Sequence, residues 1–368
     1  MLDYTDSPIL EGLNDRQREA VLHGDGPLLI FAGAGSGKTR VLTHRAAYLI
    51  RERGLSPFNV LAVTFTNKAA NEMKERLSRL LGDQHRELWV GTFHSICSRI
   101  LRRDGERVGV AADFVVFDDS DQTALMKDCL RDLQLNPEQF VPSRILREIS
   151  NAKNELIRPR DYFNWRGGRP YDEIVARAYS LYQTRLGENN ACDFDDLIDH
   201  TVWLFEQHPD LLAGYQERFH HILVDEYQDI NFAQYRFVAQ LAEKRRNLCV
   251  VGDDDQAIYG WRGADMRIIM RFDQDYPDAK VIKLEQNYRS TQNVLRAAWE
   301  IIRQNSTRRD KRLWTDASPG EKIVTHRAPD EHAEATFVAD TIEHLVQHDG
   351  CTHRDFAVLY RVNAQSRV

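Results

Sequence analysis

The 368-residue sequence holds five cysteines, Cys97, Cys129, Cys192, Cys249 and Cys351, and no two of them form a C-x-x-C pair. That spacing argues against a zinc ribbon, an iron–sulfur site or a disulfide framework, and it suits a reducing compartment. An excess of positive charge is also missing: 49 basic against 56 acidic side chains leave a formal net charge of −7. A chain-wide basic coat for nucleic acid is thereby excluded, while a local basic groove is not. No apolar run approaches the ~20 residues of a membrane span. The N-terminal MLDYTDSPILEGLND has no basic stretch followed by an apolar core, so no signal peptide is indicated. The expectation is a cytoplasmic protein with no membrane partner. Internal repeats of short period and low-complexity tracts are lacking too, and the length asks for two or three domains.

What is present centres on residues 28–40, LLIFAGAGSGKTR. Four apolar residues run into small ones, and Gly37, Lys38 and Thr39 open a helical pattern. Strand, glycine-rich turn and helix start are the order of a P-loop. Across Ala32, Gly33, Ala34, Gly35, Ser36 and Gly37 the backbone N–H groups can curl around an anion, and the helix start adds partial positive charge. Lys38 would reach the β- and γ-phosphates of a nucleotide, and the Thr39 hydroxyl would ligate Mg²⁺. The pattern G-x-x-x-x-G-K-[ST] asks for glycine where this chain has Ala32; Gly33, Gly35 and Gly37 still supply flexibility.

Around this stretch, strand and helix signals alternate. A capped helix start lies at 13–20, and strands are expected at 59–65, 89–92, 221–224 and 247–251. This alternation argues for a parallel α/β sheet. From about 118 to 195 helical patterns dominate (122–133, 143–153, 172–186), as in a helical insertion. A second α/β unit is expected to start at 279–284 (AKVIKL), with later strands at 322–326 and 356–360.

Two further stretches carry chemistry. In 222–229, ILVDEYQD, apolar residues end in two acids at the carboxyl end of a strand, where α/β ligands sit. Asp225 is then the Mg²⁺ partner and Glu226 the group that orients and deprotonates the attacking water; alternatively, both acids merely solvate a strand end. In 251–264, VGDDDQAIYGWRGA, Gln256 can sense a γ-phosphate. Tyr259 and Trp261 sit in a Gly-punctuated loop where bases can stack for about 1–3 kcal/mol each; core packing of Trp261 is the alternative. Cys192 to Leu197 receive no chemistry, because capping the next helix accounts for them.

These stretches together resemble the superfamily 1 DNA helicases of the UvrD/Rep/PcrA type over nearly the whole chain. Residues 13–17 look like the Q motif, 32–39 like motif I, 63–70 (VTFTNKAA) like motif Ia, and 90–95 (VGTFHS) like the DNA-contacting segment after it. Residues 224–229 resemble motif II, 251–264 motif III and 284–290 (LEQNYRS) motif IV. The resemblance implies that Gln17 reads the adenine, Tyr288 stacks on it, Arg40 lies beside the nucleotide and Arg289 contacts the γ-phosphate. It places Phe65, Tyr259 and Trp261 on bases, with Thr64, Thr92, His94 and Arg262 near the strand backbone; for His94 a purely structural hydrogen bond stays open. Motifs V and VI of the family do not occur, so an N-terminal portion is expected.

The implied organisation is a RecA-like P-loop NTPase domain (1–115 and 195–278), a helical insertion (116–194) and part of a second RecA-like domain (279–368). The implied activity is ATP-dependent, 3′-to-5′ DNA helicase and single-strand translocase. Its partners would be single-stranded DNA, duplex/single-strand junctions, and repair or replication accessory proteins. Two other readings stay open: a module that binds ATP and single-stranded DNA without coupling them, and a P-loop ATPase with a signalling or structural role.

Overall fold

Asn14 and Gln17 open the first helix, α1 (Asp15–Leu22), as a reciprocal cap in which each side chain accepts from the other's backbone N–H. The structure is a computed structural model that describes residues 7–306 and 308–368; the side chain of Arg262 lies outside what is described. Next comes β1 (Leu28–Ala32), buried at every position. Leu29 and Phe31 join one core, while Leu28, Ile30 and Ala32 join the other. An uninterrupted apolar run is what a parallel strand covered on both faces requires.

The chain then alternates through α2 (Lys38–Arg51), β2 (Val60–Thr64), α3 (Asn67–Leu81), β3 (Trp89–Thr92) and α4 (Phe93–Asp104). It leaves the sheet through β4 (Val115–Val116) and builds α5 (Asp119–Asp132), α6 (Pro142–Asn154), α7 (Pro159–Arg166) and α8 (Pro170–Glu188). It returns through β5 (Ala191–Cys192). Val115 pairs with Ala191 and Val116 with Cys192. Both connections of the helical block therefore lie side by side in a two-stranded neck. The block has a core of its own, including Ile145, Ile149, Tyr162, Tyr179 and Tyr182.

Helices α9 (Phe194–Gln207) and α10 (Pro209–Arg218) lead to β6 (His221–Val224). Then follow α11 (Phe232–Ala242), β7 (Leu248–Gly252), the short α12 (Met266–Met270) and α13 (Phe272–Asp275), and β8 (Lys280–Leu284). The fold is α/β with a parallel central sheet of order β3-β2-β6-β7-β1-β8. The carboxyl end of β1 thus opens between those of β7 and β8, in the crevice where parallel sheets place ligands.

Two expectations need correction. The strand at 280–284 does not found a second sheet: it pairs in parallel with β1, from Leu28–Lys280 to Ala32–Leu284. Its apolar alternation specified a strand but could not specify the neighbour. The first compact unit accordingly continues past 278 to Ser318, including α14 (Gln292–Ile302), and Pro319–Val368 forms a second. In that second unit residues 322–326 and 356–360 are not strands, and its one long helix is α15 (Glu331–His348). Helix α7 escaped the periodicity reading because it is short. Its signal was Pro159 at the first helical position, as at Pro142, Pro170 and Pro209.

Candidate functional site

The turn after β1 depends on glycine at two positions. Gly35 and Gly37 have φ of +65° and +89°, a region that other residues enter only with strain. The loop is fixed from behind: the Gln17 amide donates to the Ser36 carbonyl at 2.8 Å, and the Ser36 hydroxyl donates to the Gly33 carbonyl at 2.7 Å. In front lies a cleft of about 300 Å³ lined by Ala34, Gly35, Gly37, Lys38, Thr39, Arg40, Arg76, Glu226, Gln256, Tyr288 and Arg289. Four cations, Lys38, Arg40, Arg76 and Arg289, thus face one carboxylate. Together with the start of a 14-residue helix, this is a site for a polyanion.

The carboxylates stand at the end of β6. Asp225 is 1% exposed; Thr39 Oγ1 donates to its Oδ2 at 3.3 Å, and the Glu226 N–H donates to its Oδ1 at 3.0 Å. Burial first, and then the charge of Glu226, push its pKa up to about 6. A buried carboxylate beside a P-loop hydroxyl is a donor set that fits a hard divalent cation. Glu226 sits at φ +50°, sparsely populated for a residue with a side chain. Its Oε2 accepts from Lys38 Nζ at 2.6 Å and from Gln228 Nε2 at 2.9 Å.

Behind the cleft, Asp253 Oδ2 accepts from the Gln256 amide at 2.5 Å. The neighbouring acids are close enough to hold a cation, and the cation they hold is Lys311. Its side chain is 2% exposed, and the ammonium lies 2.5 Å from Asp253 Oδ1 and 3.1 Å from Asp255 Oδ2 and also contacts Asp254. Arg308 grips Asp255 through two bonds of 3.0 and 2.9 Å. Asn287, 2% exposed, ties a further stretch to the P-loop. It donates to the Ala34 carbonyl at 2.6 Å and accepts from the N–H groups of Arg289 and Ser290 at 2.9 and 2.8 Å.

A second concavity, about 470 Å³, runs between the sheet and the helical block. Phe65, His94, Asp229 and Trp261 line it from the carboxyl ends of sheet strands, with Arg147, Ser150, Asn151 and Asn154 from α6 and Asp195 from α9. Trp261 is 72% exposed, which rules out core packing. Tyr259 lies between two aromatics, 5.4 Å from the Phe65 ring and 6.4 Å from that of Trp261. The His94 ring meets Phe194 edge-on at 5.9 Å, and burial lowers its pKa, favouring neutral imidazole. An aromatic ladder beside amide and guanidinium groups is chemistry for stacked bases and their phosphates.

Residues 13–277 match the UvrD/REP helicase N-terminal domain, and residues 282–368 match the UvrD-like helicase C-terminal domain. The chain belongs to the UvrD/REP helicase family. It is 52% identical over 367 residues to the ATP-dependent DNA helicase PcrA of Bacillus subtilis (strain 168), covering 100% of this chain and 50% of that protein. The PcrA of Staphylococcus aureus strain Mu50 is 53% identical over 362 residues, covering 98% and 49%. That of Leuconostoc citreum is 51% identical over 360 residues, covering 98% and 48%. The chain spans about half the length of the curated relatives it matches.

Against the UvrD/REP motifs, the structure gathers Lys38, Thr39, Arg40, Glu226, Gln256, Tyr288 and Arg289 around one cleft. Tyr288 is tied in by its N–H, which donates to the Gly35 carbonyl at 3.0 Å, and by its hydroxyl, which accepts from Asn14 at 2.7 Å. Ala32, Gly33, Ser36 and Gln17 are not on the cleft wall. Ala32 is the buried last residue of β1, and Gln17, 1% exposed, spends its amide on the P-loop and its own helix cap. Phe65, His94 and Trp261 line the groove. Thr64 is fully buried, and Thr92 is the cap of α4, accepting from the Ser95 N–H at 3.2 Å. The Arg262 side chain lies outside the described residues. Arg76 at the cleft, the buried Gln228 and Asn287 behind it, and the α6 row at the groove carry no signature that the sequence motifs single out. The α6 row had a signal, since Arg147, Ser150, Asn151 and Asn154 fall at helical i, i+3, i+4 and i+7 spacing.

Proposed function

We propose that the chain binds ATP with Mg²⁺ in the cleft and single-stranded DNA in the groove, as the motor portion of an ATP-dependent DNA helicase. The observation that carries this reading is a cation-rich P-loop cleft and an aromatic groove at the same end of one sheet. Lys38 and Arg289 neutralise charge that develops on the transferring phosphoryl group, and Gln256 registers the γ-phosphate. Glu226, close to Lys38, takes the proton of the attacking water. Thr39 and Asp225 would hold Mg²⁺, which supplies charge neutralisation at the phosphate oxygens. Tyr288 stacks on the adenine and Arg40 lies beside the nucleotide, with Gln17 acting behind the P-loop. Phe65, Tyr259 and Trp261 stack DNA bases, while His94 and Arg262 serve its backbone and Thr64 and Thr92 act from behind the groove wall.

The 3′-to-5′ polarity rests on the family resemblance, as do a role in repair or replication, accessory protein partners and action at duplex/single-strand junctions. A cytoplasmic location fits the five free thiols. Among the described residues no helix is long and apolar enough to cross a membrane. We read 116–194 as a helical insertion between the two parts, 1–115 and 195–278, of a RecA-like domain to which β8 also belongs.

Steady-state ATPase with and without single-stranded DNA, beside Lys38→Ala, tests the reading. Stimulation by DNA that disappears in Lys38→Ala is the expected result. Absent stimulation, with each ligand still bound, makes the chain a binding module instead.

A further inference from the structure

Gln228 is 1% exposed, and its side-chain amide contacts three acidic residues at once. Nε2 donates to Glu226 Oε2 at 2.9 Å and to Asp229 Oδ2 at 3.0 Å, while Oε1 accepts from the Asp253 backbone N–H at 2.9 Å. A backbone N–H can only donate and two carboxylates can only accept, so the amide has one consistent orientation. The site is tight. A Cβ on Gly252 would stand 2.7 Å from Gln228 Oε1, so glycine there is what lets the amide pass beneath β7.

The three partners belong to different places. Glu226 is in the nucleotide cleft, Asp229 lines the groove, and Asp253 begins the turn that carries Gln256 and the loop of Tyr259 and Trp261. We propose that Gln228 is the positioning residue through which cleft and groove sense each other's occupancy. This rests on the reading of the cleft as an ATP site and the groove as a single-stranded DNA site.

The physical argument starts at Glu226 Oε2, which shares its charge between Lys38 at 2.6 Å and Gln228. A polyphosphate draws Lys38 away, and Oε2 then depends on Gln228 for its remaining hydrogen bond. The amide moves toward Glu226 and away from Asp229. Asp229 Oδ1 is already buried with no hydrogen-bond partner among the described residues. Losing the bond to Oδ2 leaves a less neutralised carboxylate on the wall of a groove meant for a polyanion. The triphosphate therefore weakens DNA binding, and DNA weakens triphosphate binding by the same factor. The Asp253 N–H carries the same displacement into the aromatic loop.

The test needs binding and no turnover. A fluorescent oligo(dT) is titrated with the full chain by anisotropy, with and without saturating Mg²⁺–ATPγS, and each ligand is also titrated alone. In the unsubstituted protein the analogue is expected to weaken DNA binding by about fivefold or more. In Gln228→Met each ligand alone binds within about threefold of the unsubstituted value, and the coupling factor falls to within about twofold of unity. Unchanged coupling in Gln228→Met overturns the proposal, and so does a collapse of both separate affinities, which marks a merely structural residue. If Gln228→Met melts abnormally, Gln228→Asn answers the same question, because its amide is too short to span all three partners. Failure of either ligand alone to bind the unsubstituted protein defeats the functional reading, whereas both binding without coupling defeats the proposal and leaves the two sites standing.

Discussion

Lys38 can serve a polyphosphate only by leaving Glu226, 2.6 Å away, in a pair whose side chains are 11% and 32% exposed. Glu226→Gln removes that competition while keeping the size of the side chain, and the new amide can still meet Gln228. A pair this accessible is worth about 1 kcal/mol, which corresponds to about fivefold in affinity. The same change deletes the group assigned to the attacking water, whose loss typically costs about 10²–10⁴ in rate. Binding and turnover are therefore expected to move in opposite directions. A fluorescent ATP analogue titrated in the presence of Mg²⁺ reads the first, and phosphate release at saturating ATP reads the second. Glu226→Gln that binds ATP no more tightly than the unsubstituted chain, or turns over at an undiminished rate, refutes the competition or the role in turnover.

Three other expectations follow from named contacts. Trp261→Ala removes a stacking surface that is 72% exposed and is expected to weaken single-stranded DNA binding by about 1–3 kcal/mol; unchanged anisotropy titrations would refute the stacking role. Lys153→Met strands Asp193 and Asp196, which the ammonium meets at 2.6 and 2.8 Å with all three side chains 4% exposed or less. A loss of about 3–5 kcal/mol in urea unfolding is expected. Asp195, pushed up to about 7 by burial and by Asp193, binds a proton on folding between about pH 4 and that value, so its contribution makes stability fall as pH rises through the window. Urea midpoints of Asp195→Asn at pH 5 and pH 8 are expected to show a smaller decline than those of the unsubstituted protein.

The P-loop, the DEYQD strand end and the GDDDQAIYGWRG loop were legible because each is written in consecutive residues. A buried strand, a turn and a helix start need no tertiary information to be recognised. Asn287, Gln228 and Lys311 were not legible, because a polar residue in a loop acquires its partner only when distant strands meet. Lys153 shows the same limit within a helix. Its sequence neighbours say only that it lies on α6, and nothing local announces the cap and first-turn acids of α9, Asp193 and Asp196, beside it. The Cys192–Leu197 stretch reads as a helix cap, and Asp193 does cap α9 with Asp196 as its reciprocal partner. The ion cluster around that cap was the unreadable part. Strand β8 marks the opposite case, in which periodicity announced an element and left its neighbour undetermined.

The two family matches meet between residues 277 and 282, but the seam of the folded protein lies elsewhere. Strand β8 completes one flank of the P-loop strand, Lys311 neutralises the acids behind Gln256, and Leu313 occupies the space above Gly33 that a Cβ would fill. All three come from beyond the first match. A chain cut at the seam between the matches would keep the nucleotide strand with a bare edge and buried carboxylates without a counter-ion. A boundary drawn after Leu313 keeps the P-loop strand, its β8 neighbour and the lysine behind Gln256 in one piece.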